Sequence, residues 1–350
     1  MSRVTPRLSL DPSIDAYAAW PYPESTLYFF SGSNSPVEIA VLAERGLNIG
    51  VAVPDLSGPA ISALLGLAPS HSRVFVDSGA FSEVEFSSRG PIWPHPISPS
   101  EWQRRLGIYY QIASAHHNHA FLVAPDQVAN QIGTLERLVA YAPIIAHCAA
   151  QGAFILVPIQ KGSISMTDFW YEEMRALDAV GVPRERYYPA IPLKKDATSL
   201  AELQQFTYAV ACQDYPRPRM HFLGRGVYSP DYRDTFAAVM AVCPHLVITS
   251  DSVHARSSGF AGSKQHPGPY LLAKRTLQAM GVPPSAAVRA GYHMALDQED
   301  LGQLIDALHA GWYDSELFSS SQEQLAWMSA GSPEPDRWEP IWAELRRRMR

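Results

Sequence analysis

Eight short apolar runs, each closing on small, polar or charged residues, constrain this chain more than any other feature. They are TLYFFSG (26–32), LNIGVAVPD (47–55), RVFVDSG (73–79), AFLVAPD (120–126), AFILVPIQ (153–160), YYPAIPLKK (187–195), MHFLGRG (220–226) and LVITSDS (246–252). Near-continuous hydrophobic strands of this kind suit a parallel sheet covered on both faces. Segments of helical period lie between them, among them PVEIAVLAERG (36–46), IGTLERLVAYAPIIAHCAAQG (132–152) and DYRDTFAAVMAVC (231–243). Eight strands alternating with helices over roughly 250 residues is the rhythm of an α/β fold of the (β/α)₈ TIM barrel class. We expect the barrel over residues 1–310 and a helical C-terminal extension over 311–350, where Trp312, Trp327, Trp338 and Trp342 fall on a helical pattern and pack it onto the barrel. An open doubly wound sheet is the runner-up, but no Gly-x-Gly-x-x-Gly follows the first strand.

Composition narrows the partners. Of 350 residues, 28 are Lys or Arg and 34 are Asp or Glu, a net charge of −6, which argues against a protein coated in positive charge for non-specific nucleic-acid binding. A local basic stripe is still allowed. The terminal Glu344-Leu345-Arg346-Arg347-Arg348-Met349-Arg350 reads as one, or equally as a solvated helix end. No apolar run reaches the ~20 residues that cross a bilayer, the first residues lack the apolar core of a secretory signal, and no membrane partner is expected. Cys148, Cys212 and Cys243 are widely spaced, which supports neither a disulfide framework nor a cysteine zinc site. The cytoplasm is the expected compartment, with no cofactor and no metal. The histidines of HHNH (116–119) read as surface residues at a helix end. The tryptophan-bearing tail offers surface for a homodimer.

In a barrel the C-terminal strand ends converge on one face, where chemistry sits. Those ends carry Asp55, Asp77, Asp126, Gln160, Lys194 or Lys195, Arg225 and Asp251. Carboxylates crowded at one mouth raise one another's pKa, which lets one stay protonated while another is ionised. Asp55 is read instead as the N-cap of the helix in PDLSGPAISALL. No helix begins directly after Asp77 or Asp251, so capping explains them poorly. Two long loops follow strands, the Pro- and Ser-rich 82–100 and the Gly/Ser-rich 256–269, and loops so placed tend to carry function. Phe81, beyond Gly79, reads on its own equally as a core ring beneath the loop or as a surface for stacking.

Together these residues resemble the tRNA-guanine transglycosylase family. The family's Asp-Ser-Gly-Gly-(Phe/Tyr)-Gln is similar to Asp77-Ser78-Gly79-Ala80-Phe81-Ser82, and its second aspartate to Asp126 in VAPDQV. Its Gln-Gly-Gly turn is similar to Gln160-Lys161-Gly162, and its Leu-Met-Gly-Val-Gly-x-Pro to Leu223-Gly224-Arg225-Gly226-Val227-Tyr228-Ser229-Pro230. Its Asp-Cys-Val with a following Arg resembles Asp251-Ser252-Val253 with Arg256 beyond. The matches keep family order and fall within residues 70–260.

The resemblance implies a (β/α)₈ enzyme that exchanges guanine for a 7-deazaguanine base. Asp251 would be the nucleophile and Asp77 the general acid/base, with Phe81 stacking on the base and Asp126 and Gln160 bonding its polar edge. Gly162, Leu193, Leu223 and Gly224 would complete the base pocket. Three departures bear on the substrate. No cysteine follows Cys243, so the family's Cys-x-Cys-x-x-Cys zinc region is missing. Ala190-Ile191-Pro192-Leu193 replaces its Gly-Gly-Leu, and Ser82 stands in place of Gln. Since the zinc region helps hold tRNA, the implied partners are DNA ahead of tRNA and a free 7-deazaguanine such as the 7-cyano base. Arg256, Lys264 and Arg275 are offered as phosphate contacts. A glycosidase or nucleoside-processing barrel, and a barrel that binds a purine without chemistry, are the alternatives.

Overall fold

The computed structural model describes residues 26–68, 72–88, 90–193, 198–213, 218–224, 230–252 and 269–296. Eight parallel strands close into a barrel: β1 (Thr26–Phe30), β2 (Ile49–Ala52), β3 (Val74–Asp77), β6 (Ala120–Val123), β7 (Phe154–Pro158), β8 (Tyr187–Pro192), β9 (Arg219–Leu223) and β10 (Val247–Ser252). The order around it is β1-β10-β9-β8-β7-β6-β3-β2, with β2 returning to β1. Each of the eight apolar runs supplies one strand, and closure excludes the open doubly wound sheet. The two remaining strands, β4 (Glu85–Ser87) and β5 (Gly90–Ile92), form an antiparallel hairpin within the Pro- and Ser-rich loop.

Helices fill the steps between strands: α1 (Pro36–Glu44), α2 (Gly58–Leu65), α3 (Pro99–His116), α4 (Gln131–Ala150), α5 (Met166–Asp178), α6 (Leu200–Gln213) and α7 (Pro230–Val242). Beyond β10, α8 (Pro269–Ala279) and α9 (Pro284–Leu296) pack on each other, and α9 leans on α1. Ser98, Asn130 and Ser165 cap α3, α4 and α5 by accepting backbone N–H groups three residues on. The cap of α2 is Ser57, which accepts from Ala60; Asp55 ends a single 3₁₀ turn and is exposed, so the capping role read for it passes two residues along. The histidine stretch also divides. His117 and His119 lie at or near the surface, whereas His116 is fully buried with Nε2 bonded to the Leu64 carbonyl, against the surface reading.

Alternation along the strands sorts side chains into two cores. Outward residues such as Ile49, Val51, Val74, Val76, Leu122, Ile155 and Ile191 meet the helices. Inward residues Leu27, Phe29, Phe75, Phe121, Phe154, Leu156 and Tyr188 fill the barrel. Its lower storey is aromatic: Phe29 lies 5.5 Å from Phe75 and 5.1 Å from Phe121, and Phe121 lies 5.1 Å from Phe154. Such ring pairs add to the apolar area they bury, so this storey is a packed floor. The expected tail at 311–350 lies outside the described residues, as do Arg225, Arg256, Lys264, Lys194 and Lys195.

Candidate active site

Parity places the first carboxylate. Phe75 points into the barrel, so Asp77, two residues on, points the same way one storey higher, and it is half-buried. The chain then turns at Gly79, whose φ is +72° and whose missing Cβ would lie 2.3 Å from the Pro54 Cγ, so both the backbone conformation and the space demand glycine. Asp77 Oδ1 accepts the Gly79 N–H at 3.0 Å. Buried Ser78 donates its hydroxyl to Asp126 Oδ1 at 3.0 Å, and its carbonyl accepts Arg105 Nη1 at 2.7 Å. Phe81 follows on a 3₁₀ turn at 46% exposure, its ring 6.2 Å from that of exposed Phe86 on β4. It is therefore a surface ring and not a core ring.

Asp126 sits just past β6, buried, between Ser78 and Gln160, whose Nε2 donates to Oδ2 at 3.0 Å. Gln160 Oε1 in turn accepts the Ala129 N–H at 2.8 Å. The structure thus brings Asp126 and Gln160 together, each holding the other. Burial, and then the charge of Asp77, push the Asp126 carboxyl from its usual 3.8 up to about 7. Gly162, two residues after Gln160, is exposed; a Cβ there would fall 2.2 Å from Gln131 Oε1, so glycine lets Gln131 close the loop by bonding the Gln160 and Ile164 carbonyls.

The raised Asp126 has a measurable signature. In the unfolded chain it ionises near 3.8, while in the fold it keeps its proton to about 7, so its contribution to stability is full below pH 3.8 and is lost as pH climbs through that window. Asp126→Asn, which can donate to Ser78 and accept from Gln160, is expected to flatten this part of the pH–stability curve. Urea unfolding at closely spaced pH values reads it, and equal slopes for both proteins between pH 4 and 7 would contradict the assignment.

The third carboxylate, Asp251 on β10, is buried and held by three donors. Ser31 Oγ donates to Oδ2 at 2.9 Å, the Gly224 N–H donates to Oδ1 at 2.9 Å, and His221 Nε2 lies 3.3 Å from Oδ1. Gly50 makes room for this: a Cβ there would stand 2.4 Å from Ser31 Oγ. Gly224 itself has φ +72°. Leu223 packs against the inward core, but Leu193 packs against the outward one and reaches the site only through its N–H to the Leu223 carbonyl at 3.3 Å. Arg275 is exposed on α8.

Several contributors escape the strand-end reading. Ser31 closes the first apolar run and His221 lies mid-strand, two residues before Leu223 on the same inward face, so period-two alternation exposes both. Glu83 carries no such signal. It is fully buried in the loop after β3, where it takes Arg137 Nη1 and Nη2 at 2.5 and 2.9 Å and the Ile97 N–H. Arg137 also donates to the Asp126 carbonyl, and the guanidiniums of Arg137 and Arg105 each lie over the Trp102 ring, 5.4 and 5.5 Å from its centroid. Glu173 on α5 is buried with neither carboxyl oxygen partnered among the described residues, and burial raises it well above the usual carboxyl range.

Among the described residues no cluster of three His, Cys, Asp or Glu side chains is arranged to hold a metal ion, and no helix is long and apolar enough to cross a membrane. Functional side chains gathered on the carboxyl ends of eight parallel strands define a (β/α)₈ barrel with its candidate site at the usual face. No protein-family model and no curated protein matches the chain. Solved structures similar to it are the Paramecium bursaria Chlorella virus arginine decarboxylase bound to agmatine (9% identity, TM-score 0.38), the Brucella melitensis HMG-CoA lyase (13%, 0.41) and the Methylomonas sp. D-allulose 3-epimerase (12%, 0.36). The likenesses cover 71%, 77% and 78% of this chain, and 62%, 98% and 97% of those chains respectively.

Proposed function

We propose that the protein is an enzyme that exchanges guanine in a nucleic acid, DNA ahead of tRNA, for a 7-deazaguanine base. The observation that carries this reading is Asp251: an inward carboxylate aimed by Ser31, Gly224 and His221, in the same mouth as Asp77 and Asp126. Motifs in family order and the exposed Phe81 beside the mouth support it further. In the first half, an Asp251 oxygen attacks C1′ of the sugar. The C1′–N9 bond breaks, its electron pair goes to the guanine, and the proton that the coupled Asp126 and Asp77 carboxyls hold between them passes through Asp77 to neutralise the departing base. In the second half, Asp77 takes the proton from N9 of the incoming base, N9 attacks C1′, and the electron pair of the ester C–O bond returns to Asp251. One base enters and one leaves, with no oxidant or cofactor consumed.

The position of Phe81 suits stacking on an extruded base, and the buried Asp126–Gln160 pair suits reading its polar edge through the lone pairs and N–H that remain. Preference for DNA rests on the absence of any cysteine after Cys243. Incubation with labelled guanine and, separately, plasmid DNA, tRNA or guanosine tests the reading. Label entering DNA is expected. Label entering tRNA alone would reverse the polymer preference, exchange with guanosine alone would make this a nucleoside enzyme, and no exchange in any arm would overturn the proposal.

A further inference from the structure

The barrel's middle storey is polar where most barrels are aliphatic. His221 is fully buried and lies flat against Phe75, with ring centroids 5.1 Å apart and planes 11° apart. Its Nε2 faces Asp251 Oδ1 at 3.3 Å and its Nδ1 faces Thr249 Oγ1 at 2.7 Å; Thr249 Oγ1 in turn lies 3.3 Å from the Tyr188 hydroxyl. Thr249 and Tyr188 are themselves buried. Four polar side chains on three adjacent strands therefore run in one line beneath the mouth, ending at Asp251.

Donor counting fixes the direction of that line. An ionised carboxylate only accepts, so the proton between His221 and Asp251 belongs to Nε2. Burial between aromatic rings opposes a second proton on the imidazole, and it outweighs the opposite pull of Asp251. A neutral ring with its proton on Nε2 has a lone pair on Nδ1, which the Thr249 hydroxyl fills, leaving a Thr249 lone pair for the Tyr188 O–H. Every donor then points toward Asp251.

We infer that His221 is the positioning residue of Asp251, a neutral imidazole locked by Thr249 and Phe75 whose Nε2–H aims the carboxylate. The inference rests on the base-exchange reading for its kinetic consequence. When the ester C–O bond breaks in the second half-reaction, the returning electron pair reappears on a carboxylate whose donors are already in place, so nothing reorganises at that moment.

Three variants and one spectroscopic measurement test this. His221→Leu removes the donor, His221→Gln offers an amide nitrogen in place of Nε2, and Thr249→Val removes the hydroxyl that holds Nδ1. His221→Leu is expected to slow base exchange by about 10²-fold or more, with KM for the free base within ~3-fold of the parent, while His221→Gln stays within ~10-fold of the parent rate. Nitrogen-15 imidazole spectra of the unliganded protein should show His221 as the Nε2–H tautomer, and Thr249→Val should keep that tautomer while the Nδ1 signal shifts because its donor is gone. An Nδ1–H tautomer, a doubly protonated ring, or equal losses in His221→Leu and His221→Gln would overturn the inference. If the spectra behave as expected but the parent protein exchanges no base on any substrate, the positioning of Asp251 stands and the function proposed above falls.

Discussion

Asp251→Asn is expected to abolish base exchange, by at least about 10³-fold, and to eliminate any sugar–protein adduct that survives denaturation. The substitution is clean for a structural reason. Asparagine keeps an oxygen to accept from Gly224 and His221, and its amide can donate to the Ser31 hydroxyl, which can turn to accept. The fold should therefore persist while the atom that forms the ester is lost. A denaturing gel of the parent protein with labelled DNA and free base should show a shifted, labelled band, and the variant should show none. An adduct that persists in the variant would move the covalent role to another carboxylate, with Asp77 the first to examine.

The largest effect on stability is expected at Arg137→Met. Glu83 has no exposed surface, and Arg137 supplies its charge partner through two hydrogen bonds from a side chain that is 15% exposed. Removing one member of such a pair leaves an uncompensated buried charge and costs about 3–5 kcal/mol, whereas replacing both members with apolar residues of similar volume is often close to neutral. Urea unfolding of Arg137→Met should show the loss, and the double variant with Glu83→Leu should recover most of it. A single variant within about 1 kcal/mol of the parent would mean that the pair is not the tie it looks to be. The same guanidinium holds Asp126 down through its charge and holds the Asp126 carbonyl through a hydrogen bond. Loss of Arg137 should therefore also carry the Asp126 carboxyl further above its raised value.

The fold was largely legible because its signals are local. Each apolar run encodes a strand, and the polar residues at its end mark the rim, so Asp77, Asp126, Gln160 and Asp251 are legible in the sequence. What stayed hidden depends on pairs of residues far apart in the chain. Asp126 and Gln160 occupy each other, and no spacing announces that. Ser31 reaches Asp251 across 220 positions, and it does so because Gly50 on the next strand leaves the space. Glu83 looked like one more charge in a Pro- and Ser-rich loop until Arg137 was found against it. Leu193 misled for the opposite reason: its strand was right, but one step of parity sends its side chain outward. Phe81 stood between two readings because an aromatic after a strand is buried or bare according to what the loop does next, and here the loop folds into a hairpin that leaves it bare beside Phe86.

The aromatic floor beneath the site has a consequence for traffic. Phe29, Phe75, Phe121 and Phe154 fill the barrel interior, with Phe75 flat against His221, so among the described residues the strand-end carboxylates face the mouth above a filled barrel. Under the base exchange proposed above, the base released at Asp251 would leave by the mouth through which its successor arrives, with one base at a time on Phe81. The proposed exchange would then run in sequence, with the sugar held on Asp251 while the bases change places.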